Sequence, residues 1–164
     1  MMRRVLLSIS LLALVGLLPQ TAWASTSGAH FMSASASVNN DGALVVNWDE
    51  AGLGQQQINY TLSADATAIY ACVNGGGNHP KATNKQAVEG QVNNGATFTP
   101  ENGRVKESLT AGPLSAGSFT CPSGQKLVLA KVTYSNIVLT DTTNNVVANP
   151  PDVCRSFLPT LFAC

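Results

Sequence analysis

The sequence of 164 residues predicts an all-β fold, an antiparallel β-sandwich, on three observations. Apolar and polar residues alternate with a period of two along almost the whole chain after residue 30, which is the period of a half-buried strand. Helical periodicity never continues beyond about two turns. Turn-forming Asn-Gly pairs recur between the alternating stretches. About eight to ten short strands favour an immunoglobulin-like sandwich, with a closed β-barrel as the alternative.

The first half of the chain predicts a hairpin followed by a long strand. Alternation over residues 30–38 and 44–49 flanks a turn signal at residues 40–42 and predicts two paired strands, with Trp48 on the apolar face. The longest alternation covers residues 58–72 and indicates either two strands or one strand that bends at its small residues. The alternation directs three side chains into the core, namely Tyr60, Tyr70 and Cys72.

The second half predicts a meander and a further hairpin. The meander consists of residues 88–93, 96–100 and 104–109, separated by Asn94-Gly95 and Asn102-Gly103, because glycine accepts a positive φ without steric cost. Pro113 and Pro122 then frame a connection. Two more strands are expected over residues 126–134 and 136–141, and residues 142–145 turn the chain towards Val146 and Val147.

Residues 1–24 have the pattern of a secretion signal. Arg3 and Arg4 precede an apolar run over residues 5–18, and Ala22-Trp23-Ala24 is a small-residue cleavage motif. The run is shorter than the roughly 20 residues that a membrane-spanning helix needs, and no cysteine stands at the cleavage site to carry a lipid. We therefore expect a secreted protein without a membrane anchor, extracellular or associated with the cell wall. It would comprise one sandwich domain over residues 25–153 and a short tail over residues 154–164.

The charge balance excludes several classes of partner. Nine basic residues less the two of the leader leave seven against nine acidic ones, a formal charge near −2 without blocks of like sign. Nucleic acid and anionic membranes attract strongly basic surfaces, so neither is an expected partner. We expect a monomer whose partner is an unidentified extracellular protein or polysaccharide.

Four cysteines in an exported chain predict two disulfides, for which three connectivities exist. Cys72 ends one strand pattern and Cys121 precedes another, whereas Cys154 and Cys164 bracket a short terminal segment. These positions favour Cys72–Cys121 and Cys154–Cys164; a metal site or a reactive thiol is the alternative. The apolar segment 157–162 either packs over one end of the sandwich or forms a patch for a partner.

Four stretches resemble a family of small secreted bacterial β-proteins of unassigned function. They are residues 50–54 (EAGLG), 70–80 (YACVNGGGNHP), 121–125 (CPSGQ), and 132–136 with 139–142. The resemblance covers roughly residues 43–147 and implies a compartment and an architecture, including a cysteine pair equivalent to Cys72 and Cys121. The sequence departs from that family at its amino end, where related chains often carry two more cysteines. The resemblance implies no activity.

The candidate ligand site is the glycine-rich loop after residue 74. Its bare amides would form an anion-binding nest beside one imidazole and one ammonium group. The candidate residues are Gly75, Gly76, Gly77, Asn78, His79 and Lys81. The loop lacks the pattern of a phosphate-binding P-loop. The interpretation favoured over ligand binding is a surface crossover between the two sheets, with Pro80 setting the exit.

No catalytic residue, cofactor or metal ligand is predicted. Asp49 and Glu50 are neighbours in sequence and therefore cannot face each other as paired carboxyls, so both are expected to be solvated. Calcium ligands at residues 39–41, or at residue 141 with 144 and 145, are conceivable, but these residues are better explained as turn formers. His30 is expected at a strand edge, and the core position of Trp48 argues against an aromatic platform for sugars.

These observations favour a secreted, non-enzymatic binding or interaction module directed at a cell-wall polysaccharide, another glycan or a protein. One alternative is a small extracellular hydrolase that pairs His79 with a distant carboxylate near the glycine-rich loop. Another is a structural component of an extracellular layer.

Overall fold

The computed structural model describes residues 28–74 and 84–164, in which eight strands and no helix occur. The predicted leader and the glycine-rich loop lie outside these residues. None of the described residues belongs to a helix long and apolar enough to cross a membrane. The strands are β1 (His30–Val38), β2 (Leu44–Ala51), β3 (Ile58–Asn74), β4 (Lys85–Phe98), β5 (Arg104–Ala111), β6 (Gln125–Asp141), β7 (Val146–Ala148) and β8 (Val153–Ser156).

The strands form two antiparallel sheets that enclose one core. The smaller sheet has the order β1-β2-β5, and the larger has the order β4-β3-β6, with β7 and β8 both paired to β6. Neither sheet closes on itself, so the predicted β-sandwich is confirmed and the barrel alternative is wrong. The inner faces meet around Trp48, Tyr60 and Phe98, whose ring centroids lie 4.8 to 5.9 Å apart.

The predicted core residues lie on the inner faces. Trp48 and Tyr60 are buried, and so is Cys72, as alternation predicted. Tyr70 is only half-buried, because its hydroxyl reaches the rim of the sheet and donates a hydrogen bond of 2.7 Å to the carbonyl of Leu114.

Strand β6 is continuous where the sequence predicted two strands. Its register against β3 shifts between Ser63 and Asp65 and again between Ile69 and Tyr70. Each shift adds a residue to β6 and reverses which residues face the core. Asn136, at the first bulge, has a left-handed backbone with φ of 50°. The break in alternation at Asn136 therefore marks a bulge and not a strand end. The long alternation over residues 58–72 is likewise one strand, β3.

Of the predicted turns, three are confirmed, including residues 142–145 between β6 and β7, and one is wrong. The hairpin between β1 and β2 forms as expected, and Asn102 and Gly103 both adopt positive φ, 52° and 75°, between β4 and β5. Asn94-Gly95 is not a turn, because it lies inside β4 and pairs with Leu62 and Thr61. The meander is wrong as well: β5 leaves β4 and pairs with β2 in the other sheet.

Side-chain hydrogen bonds bridge the two sheets on both sides of the sandwich. On one side Asn94 of β4 donates a hydrogen bond of 2.7 Å to the carbonyl of Thr110 in β5. On the other side Arg155 of β8 donates a hydrogen bond of 2.9 Å to the carbonyl of Val38 at the end of β1. Each contact joins an edge strand of one sheet to an edge strand of the other.

Both favoured disulfides are present. Cys72 is joined to Cys121 and Cys154 to Cys164, with Cα atoms 5.5 and 5.8 Å apart. The terminal segment packs at its start, where Phe157 contacts the core and its backbone amide donates a hydrogen bond of 2.8 Å to the carbonyl of Ala130. Further along, Leu161 stays 47% exposed. The first of the two alternatives for the tail therefore holds for Phe157 but not for its whole length.

Candidate functional site

The ends of the glycine-rich loop fix its place in the fold, although its own residues lie outside the described part of the chain. Ala71 pairs with Lys85, and the Cys72 amide donates a hydrogen bond of 3.0 Å to the carbonyl of Asn84. The loop therefore joins neighbouring antiparallel strands of one sheet, and its interpretation as a crossover between sheets is wrong. Ligand binding by the six candidate residues of the loop stays a prediction.

The loop leads into β4, which is the outer strand of the larger sheet. Strand β4 has 14 residues, and in the described part of the chain it pairs with β3 alone. The pairing runs without a register shift from Lys85 to Phe98. Within the described residues no strand pairs with its other edge, and an unpaired, regular edge is the geometry that accepts an additional strand.

Natural proteins protect such edges with charge, proline, bulges or short length. Strand β5 carries Arg104, Lys106 and Glu107; β1 has a bulge; β7 and β8 have three and four residues. Strand β4 has none of these devices beyond its first five residues. Its only charges are Lys85 and Glu89, and no proline interrupts it. Among the described edge strands β4 is thus the one left open to pairing.

The side chains of β4 alternate between the two faces of the sheet. Val92 is buried and Val88 half-buried on the inner face, where Gly90 lies between them. Glu89 and Gln91 are exposed on the outer face. The side-chain amide of Gln91 donates a hydrogen bond of 3.2 Å to the Asp65 carboxylate of β3. A strand added here would meet apolar side chains on one face and polar ones on the other.

A second feature is a buried polar cluster between the sheets. Glu50 of β2 is fully buried, and its Oε2 accepts a hydrogen bond of 2.7 Å from the Tyr60 hydroxyl of β3. Asp141 of β6, the register neighbour of Tyr60, is also fully buried. The prediction that Glu50 is solvated is wrong. The sequence does indicate this burial, because Glu50 continues the inward alternation of Leu44, Val46 and Trp48.

Burial decides the protonation of Glu50. Loss of hydration raises the pKa of its carboxyl to about 7, the Tyr60 hydrogen bond opposes this, and the nearby Asp141 carboxyl raises the pKa further. As an ionised group Glu50 leaves its Oε1 without a hydrogen-bond partner, whereas the protonated group donates to Asp141. Because Glu50 is sealed from solvent, no substrate can reach it, and the cluster joins the sheets instead of reacting.

The neighbouring carboxylate, Asp49, is only 14% exposed and is held in an ion pair. Asp49 accepts hydrogen bonds of 2.6 and 2.7 Å from Arg104, and this guanidinium holds the pKa of Asp49 below its usual value. A groove of about 460 Å³ lies beside the pair. Its lining consists of Asp49, Thr99, Glu101, Arg104, Val105, Lys106 and Glu107. Apart from Thr99 and the buried Val105, these residues are the salt bridge and exposed charges, and they include no histidine, serine or cysteine.

The turn residues considered for calcium already serve the backbone. Asn39 Oδ1 accepts hydrogen bonds from the amides of Asp41 and Ala43. Asp141 accepts three hydrogen bonds, from the Thr143 amide and from the backbone and side chain of Asn144. Within the described residues no three His, Cys, Asp or Glu side chains gather as metal ligands would. The turn-forming interpretation explains these residues.

Comparison with models of protein families, with curated proteins and with solved structures gave no match. The resemblance to small secreted bacterial proteins therefore stays a prediction. The edge of β4 is the candidate functional site that the geometry favours, and sequence reasoning missed it because the Asn94-Gly95 pair divided β4 into two shorter strands.

Proposed function

We propose that this protein is an exported binding domain that captures an extended segment of a partner protein along β4. The observation that carries the proposal is the 14-residue, regularly paired and weakly charged edge of that strand. Strand addition gains affinity from main-chain hydrogen bonds and specificity from alternate side chains. The added segment would place apolar side chains beside Val88 and Val92 and polar ones beside Glu89 and Gln91.

The compartment is part of the proposal. The leader over residues 1–24 supports export, and the two disulfides are compatible with an extracellular protein. An immunoglobulin-like classification is supported by the strand order. The first, second and fifth strands share one sheet, and the third, sixth and seventh share the other. The fourth strand departs from the constant-type arrangement, because β4 pairs with β3 instead of β5.

A charge placed on the inner side of the β4 edge tests the proposal. We expect Gly90→Lys to lower binding by roughly tenfold or more, the equivalent of about 1.4 kcal/mol, because an inward-pointing lysine opposes strand addition. A Cβ at Gly90 meets only Leu114, at 3.5 Å, so the variant should fold. The probe is a displayed library of random peptides, selected against the wild type and measured on each variant.

Ser37→Lys is the matched control, since it adds the same charge to an exposed position of the edge strand β1. Peptides with apolar-polar alternation should bind the wild type and the control alike, and hydrogen exchange of β4 amides should slow when they bind. Equal binding to Gly90→Lys, or enrichment of no peptide, would overturn the proposal. Self-association that Gly90→Lys abolishes would instead assign β4 to contacts between copies of this chain, as in an extracellular layer.

A further inference from the structure

The side chains of His30 and Met32 meet on the surface at the start of β1. The imidazole Nε2 lies 3.2 Å from the thioether Sδ. Met32 is 58% exposed, and the β1–β2 register shifts between Phe31 and Ser33, so that Met32 is the extra residue of a β-bulge. Bulges redirect a side chain out of the regular ladder. The bulge therefore presents the thioether beside the imidazole on an open edge.

The hydrogen bonding of the ring determines which nitrogen carries the proton. His30 Nδ1 lies 2.6 Å from the carbonyl oxygen of Gly28, an atom that can only accept. Nδ1 must therefore be the protonated nitrogen that donates. In the neutral ring Nε2 then holds a lone pair 3.2 Å from the sulfur, which is itself an electron-pair donor. Two electron-pair donors in contact are stabilised by a cation placed against both.

We propose that His30 and Met32 bind a soft monovalent metal ion, Cu(I), for which Ag(I) is a redox-inert analogue. Thioether ligands select Cu(I) among the biological metals, and imidazole also suits copper. The hydrogen bond from Nδ1 to a backbone carbonyl is the second-shell arrangement that orients metal-binding histidines. The site would be exchangeable, because both ligand side chains are exposed.

The sulfur has to move away from the ring to admit an ion between the two atoms, because their separation of 3.2 Å is a direct contact. A methionine side chain with three rotatable bonds makes this movement readily when it is exposed. All four cysteines are held in disulfides, so an added soft ion meets no thiolate that would compete with the pair.

Titration with silver nitrate in chloride-free buffer tests the site. We expect one Ag(I) ion to bind per chain. Calorimetry and the shift of the Met32 methyl resonance measure this binding. Met32→Leu keeps the size and exposure of the side chain and removes the sulfur, and His30→Gln removes the imidazole. Each should weaken binding by at least roughly tenfold, since even outer-shell changes cost 10- to 100-fold in metal affinity.

His79→Gln is the matched control, because it removes the other histidine of the chain and should leave the affinity for Ag(I) unchanged. Melting temperatures of the three variants report whether they fold. Unchanged affinity in a folded Met32→Leu protein would overturn the proposal, as would loss of binding in His79→Gln alone. Zn²⁺ binding as tight as that of Ag(I) and insensitive to Met32→Leu would show that sulfur is not a ligand, and would also overturn it.

Discussion

At the scale of single residues, Glu50 shows how burial changes the role of a carboxyl group. Its hydrogen bond with Tyr60 crosses from the smaller to the larger sheet, and Asp141 lies beside Tyr60 in register. The Tyr60 hydrogen bond favours the ionised carboxyl, whereas beside Asp141 a neutral carboxyl can donate a hydrogen bond and an ionised one is repelled. Glu50 is therefore a protonation-dependent link between the sheets.

The link predicts a pH dependence of stability with a definite sign. The pKa of Glu50 is raised from its ordinary value of 4.5 to about 7, so the folded state holds more protons than the unfolded state between these values. The free energy of unfolding should fall as the pH rises through this window, by on the order of 3 kcal/mol, and then level off. Denaturant unfolding from pH 4 to 8 measures it.

Glu50→Gln isolates the contribution of this residue. The amide accepts from Tyr60 and donates towards Asp141 at every pH, so the decline between pH 4.5 and 7 should disappear. Glu101→Gln, an exposed change in the turn after β4, should leave the decline in place. A Glu50→Gln protein that keeps the wild-type pH profile would contradict the assignment.

At the scale of elements, the two Asn-Gly pairs have different roles despite identical chemistry. Asn102-Gly103 has positive φ at both residues, and the flanking Glu101 and Arg104 exchange backbone hydrogen bonds of 2.8 and 3.1 Å. This is a tight hairpin turn. Gly95 lies in β4, where an added Cβ would sit 3.0 Å from the carbonyl oxygen of Tyr60. Glycine is required there by close approach of two strands and not by turn geometry.

Asn94, the neighbour of Gly95, supports the open side of the sandwich. Asn94→Ala removes the hydrogen bond to the Thr110 carbonyl, and we expect a loss of about 1 kcal/mol in the free energy of unfolding, the usual net value of one hydrogen bond. Asn93→Ala changes the adjacent exposed residue of the same strand and should cost less than about 0.5 kcal/mol. Urea denaturation of both variants gives the comparison; equal losses would contradict a specific role for Asn94.

At the scale of the whole molecule, the larger sheet extends beyond the smaller one. Strands β3 and β6 each have 17 residues, against eight in β2 and β5. Contacts with residues outside the smaller sheet cover this extension. The Tyr70 hydroxyl bonds to Leu114, and the disulfide of Cys72 ties the end of β3 to the connection that contains Cys121. The Cys72–Cys121 disulfide therefore secures the part of the sheet that the smaller sheet leaves uncovered.

The two disulfides should contribute unequally to stability. Cys72–Cys121 spans 49 residues and Cys154–Cys164 spans 10, so chain entropy assigns them about 4 and 2.7 kcal/mol. Replacing the first pair by alanine should lower the free energy of unfolding more than replacing the second. Guanidinium denaturation of the two double variants tests this order, and a larger loss from the terminal pair would contradict it.

The sequence determined the features that depend on neighbours along the chain. Alternation indicated the strands and placed Trp48 and Tyr60 in the core, while the positions of the cysteines indicated both disulfides. Turn chemistry located the β1–β2 hairpin and Asn102-Gly103. Each of these follows from local side-chain period or backbone conformation, which one sequence displays directly.

Only the tertiary structure decided which strands pair, which edge stays open and which polar groups are buried. Local alternation does not specify a partner, so it could not show that β5 pairs with β2 and leaves β4 at an edge. Nor could it separate a bulge at Asn136 from a strand end, or turn geometry at Asn94-Gly95 from close packing against Tyr60. These outcomes depend on contacts between residues far apart in the chain, and such contacts exist only once both sheets have formed.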